Sequence, residues 1–210
     1  MDGFSNRQET HGGVIMREQL KCMTKKQTKE FIDSCYKDME CRFMANKPID
    51  MSLGLLICFY AAMRRTECAS LTVENFNPEP ELSDAGEEVM TMFFKGLKGS
   101  NSRRVMFPAK MTFYILKQLD HCYNIKRKNF FRFKTGHGLA DVFRRSRPKG
   151  FFGGIHSLRH TRFTQLVVER GIPVHDAIVW SGHKSADSLL HYIKKESVDR
   201  INNQMSKLVS

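Results

Sequence analysis

Residues 51–71 read MSLGLLICFYAAMRRTECASL, an apolar stretch that ends in two arginines and, shortly after them, a glutamate. The apolar part, residues 51–63, is interrupted only by Ser52. A membrane span needs about 20 apolar residues, so this shorter run predicts a helix buried in a globular core. Such a helix would hold Arg64 at its end, and Glu67 could stabilise the turn or pair with a neighbouring arginine. Taken alone, the segment is most typical of an ordinary helix end with exposed arginines.

The remaining sequence predicts a mainly α-helical domain with one small antiparallel β-hairpin. Thr24 is suited to cap a helix that runs to about residue 46. Two strand-like runs, 88–94 and 103–107, flank a Lys-Gly-Leu-Lys-Gly-Ser-Asn turn and predict the hairpin. Further helical patterns lie at 109–123, 138–146, 156–170, 173–180, 185–195 and 197–208.

The chain is basic, and its excess charge lies in one central stretch. It has 34 Lys and Arg against 22 Asp and Glu, a net charge of +12. Residues 95–170 carry 18 basic and 3 acidic side chains, whereas the flanking segments are near neutral or slightly acidic. This distribution indicates a polyanionic partner. Nucleic acid is favoured over a membrane surface, because the stretch includes a hairpin and several Gly/Pro breaks rather than one amphipathic helix.

The cysteines and the N-terminus give no sign of an oxidising compartment. The six cysteines include no C-x-x-C pair, so neither a zinc knuckle nor a disulfide framework is expected. The first residues lack the apolar segment of a secretory signal. We therefore expect a cytoplasmic protein.

A second basic motif is His156-Ser157-Leu158-Arg159-His160. On a helix, His156 and Arg159 share a face. The spacing of His156 and His160 also resembles a metal-binding H-E-x-x-H, but the glutamate is missing and Arg159 would repel a dication. A phosphate clamp is the better interpretation, because arginine offers a bidentate fork to phosphate oxygens.

A third motif is Ser181-Gly182-His183, which is followed nine residues later by Tyr192. Gly182 would permit a tight turn with His183 at its exit. A single tyrosine in a helix is most often half-buried packing, with a phenol that titrates near pH ~10. Tyr192 would therefore need neighbouring groups to act as a nucleophile.

In this order and at these spacings, the segments resemble the catalytic domain of the tyrosine recombinase, or phage integrase, family. The motifs of that family are G-x-R-x-x-E-x-x-x-L, a β-hairpin lysine, H-x-L-R-H, and L-G-H with a nucleophilic tyrosine nine residues later. The matching segments here are 62–71, the predicted hairpin, 156–160 and 181–192. The resemblance extends from about residue 22 to 200 and implies the family's mainly α-helical DNA breaking-rejoining fold.

The resemblance also implies a role for each matching residue. Arg64 and Arg159 would bind the non-bridging oxygens of the scissile phosphate. His156 would assist proton transfer, and His183 would donate a hydrogen bond to the phosphate. Tyr192 would attack the phosphorus, giving a 3′-phosphotyrosyl enzyme and a free 5′-hydroxyl.

A hairpin lysine would protonate the leaving 5′-oxygen. Lys98, seven residues before Val105, best matches the family's spacing, and Lys95 remains the alternative. Two guanidiniums and two imidazoles would stabilise the charge of the transition state. The implied reaction therefore uses no metal, other cofactor or ATP.

Double-stranded DNA is the implied substrate and partner, with self-assembly of the chain on DNA as a tetramer in the synaptic complex, and a monomer in the absence of DNA is left open. The C-terminal helix after Tyr192 would dock on a neighbouring subunit or fold back on its own core, and the sequence leaves both alternatives open. The candidate DNA contacts are basic residues of the central stretch: Arg103, Arg104, Lys126, Arg127, Lys128, Arg132, Lys134, Arg144 and Arg145.

Three features depart from the family pattern. Ala62 stands at the usual glycine, and Ser181 stands at the usual leucine. We expect residues 1–20 to be a flexible leader and 21–210 the catalytic domain, with the family's N-terminal core-binding domain absent. The chain would then be a compact member, similar to the fimbrial phase-variation invertases, or a catalytic fragment.

Two other functions fit the same residues less well. A type IB topoisomerase or a telomere resolvase shares the arginine, lysine, histidine and tyrosine clamp, but the motif at 156–160 favours a recombinase. A catalytically idle DNA-binding module of the same fold would have no need of every catalytic position, and here all of them are filled.

Overall fold

The computed structural model describes residues 22–95 and 102–182 and confirms a mainly α-helical fold with small antiparallel sheets. The predicted leader and the predicted helices at 185–195 and 197–208 lie outside the described residues. In chain order the elements are α1 (Lys25–Met44), α2 (Asp50–Tyr60), α3 (Arg65–Ala69), β1 (Glu81–Leu82), β2 (Glu88–Val89), β3 (Thr91–Phe94), β4 (Arg103–Met106), α4 (Ala109–Asn124), α5 (His137–Ser146), α6 (His156–Thr164) and α7 (Val174–Ser181).

Helix α2 is the centre of the fold. Nine of its 11 residues are buried, and it packs against α1, α4, α5 and α6. A helix that is apolar on all sides must be covered on all sides, and the predicted core helix is thereby confirmed. Aromatic contacts join three of the helices: Phe31 of α1 lies edge-on against Phe59 of α2, at 6.3 Å between ring centroids, and against Phe143 of α5, at 5.7 Å.

The first helix begins where the sequence predicts. The Thr24 hydroxyl accepts a hydrogen bond from the backbone N–H of Gln27 at 3.2 Å, and the Gln27 side chain accepts one from the N–H of Thr24 at 3.0 Å. This reciprocal pair satisfies two amides that a helix N-terminus otherwise leaves without partners.

The predicted hairpin is confirmed with shorter strands. β3 pairs antiparallel with β4, with Phe94 opposite Arg103 and Met92 opposite Val105. The sequence prediction missed a second sheet, in which β1 pairs antiparallel with β2. These strands have two residues each, too few to show an alternating pattern.

Glycines end the later helices. The predicted helix 156–170 is α6 followed by a π-helical turn, Gln165–Glu169, and the chain leaves it at Gly171 with a φ of 69°. Helix α7 ends at Gly182, whose φ is 67°. Both glycines adopt the left-handed conformation that favours glycine at a helix end.

Within the part of the chain that the structure describes, no helix combines the length and the apolar character needed to cross a membrane.

Gly136 sets how closely α5 approaches α3. A Cβ atom at Gly136 would lie 2.7 Å from the Cβ and Cγ atoms of Arg65 and 2.8 Å from its carbonyl oxygen. Contacts this short require the backbone to shift. The absence of a side chain at Gly136 therefore lets the start of α5 pack on the stem of Arg65.

We expect Gly136→Ala to lower the free energy of unfolding by about 1–3 kcal/mol, the usual cost of overpacking a well-packed contact. Gly154→Ala is the matched control, because a Cβ at Gly154 would meet no atom within 4 Å. Urea denaturation of the two variants tests this. Equal unfolding midpoints would contradict the close packing at Gly136.

Candidate active site

The buried carboxylate of Glu67 lies among three arginines from three elements. Glu67 belongs to α3 and is completely inaccessible to solvent. Its partners are Arg64, which precedes α3, Arg103 of β4 and Arg159 of α6. The sequence predicted that Glu67 could hold a turn or pair with a neighbouring arginine, and the structure shows both.

Arg64 is fixed by two contacts to Glu67. The backbone N–H of Arg64 donates to Oε2 of Glu67 at 2.8 Å, and Nη1 of Arg64 donates to Oε1 at 3.0 Å. The side chain of Arg64 is 36% exposed, whereas those of Arg103 and Arg159 are almost fully buried. The Arg64 guanidinium is therefore the member of the cluster that reaches solvent.

Arg159 connects α6 to the turn after α2. Its Nη1 donates to the carbonyl oxygen of Ala62 at 2.7 Å and lies 3.9 Å from Oε2 of Glu67. Ala62 has a φ of 46°, in the left-handed region where glycine is favoured. The turn at Ala62 thus accounts for the glycine that the recombinase motif has at this position.

Arg103 corrects one of the predicted DNA contacts. It is buried, with Nη2 3.5 Å from Oε2 of Glu67 and Nη1 donating to the carbonyl oxygen of Ser181 at 2.9 Å. The prediction that Arg103 contacts DNA is wrong, because the alternation of β4 directs it inward together with Val105. The same alternation is visible in the sequence and could have placed Arg103 inside.

The cluster carries more positive than negative charge. Glu67 provides one carboxylate for three guanidiniums in a region largely closed to water. Burial, followed by the charges of Arg64 and Arg103, lowers the pKa of Arg159 to about 9, and burial likewise lowers the pKa of Arg103. An anion placed against the open side would relieve this repulsion, so the arrangement suits a phosphate.

His156 lies in the first turn of α6, three residues before Arg159. Desolvation and the charges of Arg65, Arg159 and Arg64 lower its pKa below the ordinary value of 6.5. The imidazole is therefore mainly neutral at pH 7 and is able to accept a proton. The structure thus brings together three of the predicted catalytic residues, Arg64, His156 and Arg159.

Of the other predicted catalytic residues, the structure describes only Lys95. Lys98, His183 and Tyr192 lie outside the described residues. Lys95 is exposed and follows the end of β3. Among residues 22–95 and 102–182, no group of three His, Cys, Asp or Glu side chains is arranged to hold a metal ion.

Arg127, another predicted DNA contact, is mostly occupied by contacts within the chain. Its side chain is only 17% exposed, and it donates to the carbonyl oxygens of Asn129 and Phe130 at 2.9 and 3.1 Å. The cause is a left-handed turn at Lys126, with a φ of 51°, which directs the next residue back toward the end of α4. Arg127 therefore stabilises this turn.

The remaining predicted DNA contacts are exposed. Several of them pair with acidic neighbours: Arg104 with Glu81, Lys128 with Glu74, Arg132 with Asp50 and Arg144 with Asp141. The other exposed members are Lys126, Lys134 and Arg145.

Removal of the Glu67 charge tests its position among the arginines. We expect Glu67→Gln to lower the free energy of unfolding by about 3–5 kcal/mol, because it leaves buried guanidiniums without their counter-charge. Glu74→Gln is the control, since Glu74 pairs with Lys128 on the surface, where both side chains are 70% exposed. Such a surface pair contributes at most about 1 kcal/mol. Similar urea midpoints for the two variants would contradict the central role of Glu67.

The pKa of His156 tests the electrostatics. We expect NMR titration to give a pKa below 6.5 for His156, and Arg65→Gln to raise it, because Arg65 is the charge with the largest effect. Arg145→Gln should leave it unchanged. Since the folded protein binds this proton less readily than the unfolded chain, His156 should reduce folding stability as pH falls below about 6.5. A His156 pKa that does not respond to Arg65→Gln would contradict this geometry.

The fold is similar to those of solved recombinase structures. No protein-family profile and no curated protein sequence matches the chain. Its similarity to XerA recombinase has a TM-score of 0.65 at 15% identity, over 88% of this chain and 64% of that one. The similarity to XerH site-specific recombinase bound to difH substrate has a TM-score of 0.59 at 20% identity and covers 80% of this chain and 49% of that one. The similarity to the catalytic domain of bacteriophage HP1 integrase has a TM-score of 0.53 at 18% identity and covers 81% of this chain and 85% of that one.

Each of these similarities covers at least 80% of the chain. The chain spans about half of the XerH chain and 64% of the XerA chain, so it corresponds to part of each. At these identities the comparison concerns the fold. The chain has the fold of a tyrosine recombinase catalytic domain.

Proposed function

We propose that the protein is a site-specific DNA recombinase that cleaves and rejoins double-stranded DNA through a 3′-phosphotyrosine intermediate. The observation that carries this proposal is the grouping of Arg64 and Arg159 around the buried Glu67, with His156 close enough to both arginines to feel their charge, on a recombinase fold. A positive cluster with one open side suits a substrate that is itself an anion. In the XerH structure that shares this fold, the protein is bound to its difH substrate.

Arg64 and Arg159 would bind the non-bridging oxygens of the scissile phosphate. Glu67 holds both guanidiniums before substrate arrives, so little reorganisation is needed when charge develops. The pentavalent transition state carries more negative charge on these oxygens than the ground state does. Fixed guanidiniums therefore stabilise the transition state selectively. This charge is supplied by side chains, so the proposed reaction requires neither metal nor ATP.

Tyr192 would be the nucleophile. Its phenolic oxygen forms a bond to phosphorus as the bond to the 5′-oxygen breaks, and the phosphodiester energy is retained in the phosphotyrosine. The neutral imidazole of His156 would assist removal of the phenolic proton. His183 would donate to the phosphate, and Lys98, with Lys95 as the alternative, would protonate the leaving 5′-oxygen. Rejoining reverses these steps with a different 5′-hydroxyl.

The exposed basic residues of the central stretch would contact phosphates on either side of this centre. Such contacts fix the position of the duplex without reading its sequence. We further propose that the protein assembles as a tetramer on DNA and resides in the cytoplasm in association with DNA.

Trapping of the covalent intermediate tests this function. The full chain is incubated with a pool of nicked duplexes of randomised sequence, in which the short 5′-hydroxyl fragment diffuses away after cleavage. We expect an adduct that survives SDS, and sequencing of the attached DNA identifies the site. Tyr192→Phe should abolish the adduct and leave DNA binding nearly unchanged, since only a hydroxyl is lost.

Tyr123→Phe is the matched control, because Tyr123 is an exposed tyrosine of α4. No adduct from the unmodified chain would overturn the proposed function. An adduct that survives Tyr192→Phe but is lost in Tyr60→Phe or Tyr114→Phe would show that another tyrosine is the nucleophile. Strand exchange between two marked duplexes, rather than relaxation of one supercoiled circle, separates a recombinase from a topoisomerase.

A further inference from the structure

A basic groove adjoins His156, beside the cluster of Glu67 and its three arginines. It has a volume of about 390 Å³ and lies between α5 and the loop that leads into α6. Its charged lining consists of Arg65, Arg144 and Arg147, with Asp141 as the acidic member. The groove thus has a net positive charge and lies beside the Glu67 cluster.

Two of these arginines are held in place without an acidic partner. The stem of Arg65 packs against Gly136. Nη1 of Arg147 donates to the carbonyl oxygens of Phe152 and Gly153 at 3.1 and 3.4 Å, and its guanidinium lies 5.7 Å from the centre of the Phe152 ring. Within the described ranges, neither Arg65 nor Arg147 forms an ion pair with an acidic side chain.

The acidic member of the groove is already engaged. Asp141 accepts a hydrogen bond from Nη2 of Arg144 at 3.0 Å, and both side chains are mostly exposed. Arg144 and Asp141 therefore offset each other, and the charges left over in the groove are those of Arg65 and Arg147. Two guanidiniums lining one partly closed groove match the charge and the hydrogen-bonding needs of a phosphate.

The groove also adjoins the residues proposed to bind the scissile phosphate. His156 lines it and is three residues from Arg159, so the groove and the phosphate cluster share an edge. Successive phosphates of one DNA strand are only one nucleotide apart, at about 3.4 Å of helix rise. A strand whose phosphate is held by Arg64 and Arg159 would therefore bring a neighbouring phosphate to the groove.

We propose that this groove binds a phosphodiester of the DNA backbone next to the scissile one, with Arg65 and Arg147 as its ligands. The inference rests on the proposed function and adds a second fixed point on the cleaved strand. One phosphate contact leaves the strand free to pivot, whereas two contacts define its direction. The groove would thereby set which phosphate reaches the catalytic residues.

The salt dependence of DNA binding tests the groove. The full chain is titrated onto a fluorescein-labelled 30-base-pair duplex of arbitrary sequence, with fluorescence anisotropy measured from 50 to 200 mM KCl. We compare the unmodified chain with an Arg65→Gln/Arg147→Gln double variant. Glutamine retains the Cβ and Cγ atoms of Arg65 that lie against Gly136, and it removes the guanidinium group with its charge and its N–H donors.

We expect the double variant to lower the slope of log affinity against log salt by about 1, the change for the loss of one phosphate contact. Affinity at 50 mM KCl should fall about tenfold or more. A Lys26→Gln/Lys37→Gln double variant of two exposed lysines on α1 removes the same charge elsewhere. It should leave the slope nearly unchanged.

The outcomes separate the groove from the proposed function. Equal losses in the two double variants would show that only net charge matters and would overturn the groove. Unchanged binding by the Arg65→Gln/Arg147→Gln variant would overturn it as well, while the adduct formed by the unmodified chain would still support the recombinase. If thermal melting shows the double variant to be unfolded, Arg65→Gln alone is measured, and an unchanged slope for it likewise overturns the proposal.

Discussion

The site depends on one constraint, which is that the buried carboxylate of Glu67 has to be surrounded by positive charge. A carboxylate removed from water is destabilised unless it is paired and hydrogen-bonded. Here its partners come from the segment before α3, from β4 and from α6. The elements that carry the predicted chemistry are therefore held together by an electrostatic requirement of the core.

The cluster contains three guanidinium groups for one carboxylate, and this excess of positive charge is what bears on function. If one arginine faced Glu67, the charges would cancel and the core would simply contain a salt bridge. Among the described residues, three arginines surround the single carboxylate of Glu67, and Arg64 is the one whose side chain is partly exposed. Repulsion among these guanidiniums lowers the stability of the fold, and a bound anion would relieve it. Stability and affinity for an anion are thus linked through the same side chains.

The sequence predicted the elements of this fold well and the directions of some side chains poorly. The apolar run at 51–63 and the cap at Thr24 have strong local causes, and both predictions are confirmed. The basic composition of the central stretch predicts Arg103 and Arg127 at the surface. Strand alternation buries Arg103, and a left-handed residue before Arg127 turns it inward. Such directions follow from backbone geometry, which composition does not encode.

Of the three arginine partners of Glu67, the sequence predicts only the one that is close to it along the chain. Glu67 and Arg64 are three residues apart, so their pairing follows from the geometry of one helical turn. Arg103 and Arg159 meet Glu67 only because the tertiary fold brings β4 and α6 to α3. Those contacts join residues 36 and 92 positions apart in sequence, which no local pattern reports.

The two-sided contact of Arg103 has a consequence for how this sequence can change over evolution. Nη2 of its guanidinium donates to Oε2 of Glu67, and Nη1 donates to the carbonyl oxygen of Ser181. A lysine has one ammonium group and could not serve both directions equally well. Exchange of Glu67 for a neutral residue would require the loss of at least one arginine in the same lineage. Position 67 should therefore vary together with at least one of positions 64, 103 and 159 among descendants of this chain.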